Sequence, residues 1–178
     1  MTRRYHPVLV VLHWLLALMI LGGLLVGGLV LAETPNDDPA KLTSLLLHMV
    51  SGLTILALMI GRLGLRLFTA KPPHADIGNG LLNTGASAAH WALYLLVIGM
   101  SVSGIVMSNT AGLPDIVFGG SGAPLPENFD DLAARTVHGI ISTLLWLLIA
   151  GHVLAALYHH FVRKDGLLRR MWFGDRNA

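Results

Sequence analysis

No cysteine occurs in the 178 residues. That absence excludes disulfides, thiolate metal sites, iron–sulfur clusters and covalently attached c-type haem, and it leaves the compartment open. Charge is scarce as well. Asp, Glu, Lys and Arg make up 12% of the chain against 54% hydrophobic residues, whereas a soluble domain averages about 25% charged. Much of the surface is therefore expected to face lipid. The formal net charge is only +2, so no basic field marks a nucleic-acid surface. Nucleic acid is not expected among the partners.

What the chain does have is apolar runs and histidines. A helix that crosses a bilayer needs about 20 mostly apolar residues. Four segments qualify: Val8 to Ala32, Leu42 to Phe68, Ala88 to Met107 and Val137 to Val162. A lipid-exposed backbone must satisfy its own hydrogen bonds, so each is expected to be a helix. The expected fold is all-α, an integral membrane four-helix bundle in a single domain spanning residues 1–178. The first span, with Arg3 and Arg4 ahead of it and Val30-Leu31-Ala32 before Glu33, has some features of a signal peptide. Its apolar run is far longer than the roughly 7–15 residues of such a segment, and it contains a histidine and a tryptophan. It is expected to be a retained helix.

Basic residues set the orientation. Arg3, Arg4, Arg62, Arg66, Lys71, Arg163, Lys164, Arg169, Arg170 and Arg176 fall on one side of a four-helix layout, and only Lys41 and Arg135 on the other. Both termini are thus expected to be cytoplasmic, in a bacterial inner membrane. The opposite loops carry Glu33, Asp37, Asp38, Asp115, Glu127, Asp130 and Asp131.

Nine histidines are many for so apolar a chain. His138 and His152 lie fourteen residues apart on the fourth span. That is close to four turns at 3.6 residues each, so both share one face, about 21 Å apart along the axis. His48 matches His138 in depth, and His13 matches His152. Two imidazole pairs stacked along a bundle axis suit two bis-imidazole haems, and bundle cores are a usual place for such cofactors. With both axial positions filled, such a centre is suited to electron transfer. An iron bond satisfies one imidazole nitrogen, and the other can donate to a carbonyl one turn away. Zinc prefers four ligands clustered at one depth, which two separate levels disfavour.

Other residues keep the same register. Gly27 and Gly104 are fourteen residues beyond His13 and His90, and Gly52 is four beyond His48. They suit either close approach of a flat macrocycle or tight helix contact, and Gly22-Gly23 and Gly27-Gly28 also suit helix contact. Arg62 is fourteen residues beyond His48. It is placed either to pair with a haem propionate or to snorkel as an anchor. His159, seven residues beyond His152, is placed for a quinone carbonyl or a propionate, or as an interfacial anchor. His90 is left as a haem neighbour, an alternative inner ligand or a polar helix contact. His6 and His74 are expected to be solvated.

Leu12-His13-Trp14-Leu15, His48 with Gly52 and Arg62, His90 followed by Tyr94, Val137-His138-Gly139, and Gly151-His152 through His159-His160, Lys164-Asp165 and Leu167-Leu168-Arg169 together resemble the bacterial cytochrome b561 family. The resemblance covers nearly the whole chain. It implies a four-helix bundle with two non-covalent b-type haems, and it carries the ligand roles to His13, His48, His138 and His152. It further implies electron exchange with ubiquinone or another membrane quinone. Some members resemble superoxide oxidases, which pass an electron from superoxide at the outer face to ubiquinone. Related subunits anchor hydrogenases and formate dehydrogenases.

The acidic outer loops are a departure, since they oppose an anionic donor. Lys41 and Arg135 offer a local positive entrance near the outer histidines. A small-molecule donor, a protein donor, a role as the electron-conduit anchor of a partner dehydrogenase, and a haem-free metal bundle all remain open at this point. So does a homodimer built on the first helix's glycines.

Overall fold

A computed structural model describes residues 4–73 and 76–174. Arg3, His74 and Arg176, singled out above, lie outside the described residues. Among those described there is no strand, and four helices are long and apolar enough to cross a membrane.

Helix α1, Pro7–Leu25, starts where His6 Nδ1 accepts the Val8 amide at 3.3 Å. Pro7 occupies the first turn, where a missing N–H costs nothing. His6 is therefore a helix cap and not merely a solvated side chain. The helix then widens into a π-helical stretch, Val26–Leu31. Helix α2, Pro39–Phe68, is capped by Asp38, whose side chain accepts from the Ala40 amide at 2.8 Å.

Helix α3, Gly80–Thr110, begins eight residues before the expected Ala88 and ends three after Met107. Asn79 explains the early start: its Oδ1 accepts from the amides of Leu81 and Leu82, which satisfies donors that would otherwise be orphaned. The short α4, Leu113–Val117, lies inside what reads as a long loop. Helix α5, Ala133–Tyr158, continues as a π-helical stretch, His159–Arg163, and stops at Lys164, whose φ of 53° turns the chain.

Close packing runs from α1 to α2, from α2 to α3 and from α3 to α5, with no comparable contact between α5 and either α1 or α2. The core cluster includes Leu16, Ile55, Tyr94, Val97 and Leu145. Leu145 is midway between His138 and His152, and Ile55 is seven residues beyond His48. The dry layer therefore lies between the two histidine levels. Side chains such as Leu18, Leu29, Leu95 and Leu147 point outward and are well exposed, where lipid covers them. In lipid such faces give no drive to associate, so packing and polar contacts must hold the helices together.

Polar contacts close both ends. At the end bearing the termini, the tail folds under the bundle through a 3-10 helix, Leu167–Met171. Tyr5 donates its amide to the Arg170 carbonyl at 3.1 Å. Trp14 Nε1 donates to the Met171 carbonyl at 2.9 Å, and Arg170 reaches the Pro73 carbonyl at 2.6 Å. At the far end, Asn36 Nδ2 donates to the Pro126 carbonyl at 2.7 Å and pins the long loop.

Lys41 is the main polar anchor of the far end. It is only 5% exposed, and its Nζ donates to the carbonyls of Leu31 and Thr34. It ties the last carbonyls of the first span to α2 and is not a free charge at an entrance. Lys41→Met would orphan two carbonyls at about 1–3 kcal/mol each, offset by no longer burying an ammonium. The expected net loss is about 2 kcal/mol, which lowers the thermal midpoint in detergent by roughly 4–8 °C for a chain of this size. An unchanged midpoint would show that the tie contributes nothing.

Candidate functional site

The helix register brings the four expected histidines together in pairs. His13 of α1 faces His152 of α5 with ring centroids 6.3 Å apart, and His48 of α2 faces His138 of α5, also at 6.3 Å. An imidazole nitrogen binds a transition metal at about 2.0–2.1 Å, and the ring centre lies about 1.1 Å behind it, so two imidazoles on opposite sides of one metal have centroids about 6.3 Å apart. Rings in direct contact span roughly 4.5–7 Å, so one such spacing decides little. The same spacing occurs at two depths, in both cases across the helix pairs that do not pack closely. That repeat fits a flat group held between each pair.

The far-end pair adds a further sign of fit. A cavity of about 540 Å³ is lined by Gly27, His48, Gly52, Gly104, Arg135 and His138, among others, within the range of cofactor sites. His48 Nδ1 is buried there without a hydrogen-bond partner. The glycines have a definite job. A Cβ on Gly27 would stand 3.4 Å from His48 Cε1, and one on Gly104 would stand 3.4 Å from His138 Cε1. Both positions thus back the imidazoles directly. Gly22 and Gly28 meet nothing within 4 Å, so the tight helix contact expected of them does not form within this chain.

At the terminal end, Arg62 turns inward. It donates to the Tyr94 hydroxyl, lies over that ring at 5.1 Å, and keeps its Nε buried without a partner. It is a half-buried guanidinium with an unpartnered Nε close to the His13–His152 pair, which suits a carboxylate such as a propionate. Arg66 stacks above Trp91 and Tyr94 at 5.5 and 5.6 Å.

His90 packs edge-on to His152 at 5.3 Å and directs Nδ1 to the Ala86 carbonyl at 2.7 Å. It is a neighbour of that pair, with the carbonyl contact one turn back expected of the ligands themselves. His159 Nδ1 meets Asp165 Oδ2 at 2.5 Å. Desolvation pushes the Asp165 carboxyl up, but the His159 and Leu167 hydrogen bonds and the nearby Arg163 together hold it below its ordinary value. A depression of about 480 Å³ beside it is lined by His160, Lys164, Asp165, Gly166 and Arg169.

Two polar partners escape a spacing argument: Tyr94 at Arg62, and Ser103 at His138. Ser103 immediately precedes a glycine at the outer histidine depth, which is the one signal that could have found it. Among the described residues, no group of three or more His, Asp or Glu is placed to hold a metal ion directly.

Comparison with known proteins shows the family. The family model for prokaryotic cytochrome b561 matches residues 4–174. Relatives include a probable superoxide oxidase, CybB, of Yersinia pestis, 32% identical over 71% of this chain and 73% of its own length. Cytochrome b561 homolog 2 of Escherichia coli is 28% identical over 94% of this chain and 90% of its own. Cytochrome b562 of Cereibacter sphaeroides is 27% identical over 94% of both chains. The chain belongs to the prokaryotic cytochrome b561 family: it is a multi-pass bacterial membrane protein that transfers electrons through b-type haem.

Proposed function

With that membership as premise, we propose that the chain holds two b-type haems and carries electrons from a donor at the outer face of the inner membrane to the quinone pool. His48 and His138 would hold the outer haem, and His13 and His152 the inner one. The observation that carries this reading is the identical 6.3 Å spacing of the two imidazole pairs. When bound, the haems supply one-electron chemistry at two stacked centres. The protein's part is ligation, spacing and charge. The excess of Lys and Arg at the terminal end supports a cytoplasmic position for that end.

Arg62 compensates an inner-haem propionate. His159, oriented through Nδ1 by Asp165, has Nε2 left for a quinone carbonyl. A quinone that accepts two electrons also takes two protons, and this pair stands where one can be passed. Superoxide is the leading donor. Its support is the likeness to the Yersinia pestis protein and the cation Arg135 in the wall of the outer cavity.

Stopped-flow mixing of the oxidised protein with superoxide, in liposomes with and without ubiquinone, tests the reading. The expected result is haem reduction without quinone, rapid turnover with it, and suppression of both by superoxide dismutase. Reduction by other outer reductants but never by superoxide would remove superoxide as donor. Haem that stays reduced in the presence of ubiquinone would remove the quinone.

A further inference from the structure

Ser103 is a hydroxyl in an apolar stretch of α3 and is only 7% exposed. Its Oγ donates to the Met100 carbonyl at 2.9 Å, a common back-bond for a helical serine. That bond uses its single hydrogen. The same oxygen lies 2.9 Å from His138 Nδ1. With that proton on the Met100 carbonyl, the oxygen accepts from His138 Nδ1–H, the arrangement that leaves Nε2 bare. The opposite imidazole has no such support, since His48 Nδ1 is buried without a partner. The outer pair is therefore anchored on one side only.

We propose that Ser103 is a positioning residue for the outer haem: its buried hydroxyl, held by Met100, fixes the tautomer and ring orientation of His138 and strengthens Nε2 as an electron donor. The inference rests on the reading of His138 as an axial ligand. A hydrogen-bonded Nδ1–H raises ligand basicity. A more basic ligand favours ferric over ferrous iron, so Ser103 holds the outer midpoint potential down.

Potentiometric titration of the purified haem-loaded protein, with the haem content measured on each sample, tests this on Ser103→Ala, Ser103→Thr and His138→Ala. His138→Ala identifies the outer haem by its loss. Ser103→Ala is expected to keep both haems, leave the inner potential unchanged and raise the outer one. A threefold to tenfold change in the ferric-to-ferrous affinity ratio is a rise of roughly 30–60 mV, at about 59 mV per decade for one electron. Ser103→Thr keeps the hydroxyl and is expected to keep the wild-type potential.

An unchanged outer potential in Ser103→Ala, with one haem lost in His138→Ala, overturns the role of Ser103 and leaves the ligand in place. Two haems retained in His138→Ala overturn the ligand reading itself. Should Ser103→Ala lose the outer haem outright, retention by Ser103→Thr supports the hydroxyl, and loss in both variants shows a steric role and contradicts the proposal.

Discussion

Alanine in place of His13 is expected to remove one haem and leave the other bound. The two imidazole levels are about 21 Å apart along α5, and the layer containing Ile55, Val97 and Leu145 separates them. Loss at one level therefore has no direct route to the other. His90 is the obvious candidate to substitute, because it is a third imidazole at the inner level. Its position argues against rescue: it packs edge-on to His152 at 5.3 Å, with its Nδ1 held by Ala86. That spacing is shorter than the 6.3 Å of either pair. Haem content should thus fall by half, read as pyridine haemochrome per chain, and the remaining haem should keep its wild-type potential. Retention of both haems would remove His13 from the ligand set.

The second large effect is expected at Arg62. Its half-buried guanidinium lies close to the inner pair, bonded to Tyr94 and with Nε unpartnered. A cation there stabilises the reduced haem, which carries one more negative charge, and it offsets a propionate. Arg62→Met should therefore lower the inner midpoint potential. A tenfold loss of preference for the reduced state is about 59 mV, and a shift of that order is expected. Arg62→Lys should fall between, since an ammonium keeps the charge without the planar fork. The outer potential should not move. An inner potential equal to wild type in Arg62→Met would assign the residue to packing against Tyr94 alone.

The spans and both histidine pairs were legible because each follows from helix periodicity. Fourteen residues is nearly four turns, so His138 and His152 share a face however the bundle is assembled. Their partners then follow from depth. The boundaries of α3 were less legible. Residues 79–87 are polar enough to read as loop by hydropathy, yet Asn79 caps them into helix. The tail was not legible, because its contacts to Tyr5, Trp14 and Pro73 join residues far apart in sequence. Lys41 read as an entrance charge because a sequence shows that a residue is a cation but not which carbonyls it reaches. Ser103 was hidden for the same reason: its partner His138 is on another helix.

The most direct test of the central claim is a redox titration of the wild-type protein in the visible region, with haem counted per chain on the same sample. The account predicts about two b-type haems per chain and two separable one-electron transitions, both low-spin as two axial imidazoles require. One haem per chain, or a high-spin centre with an open axial position, would contradict the paired arrangement of His13 with His152 and His48 with His138.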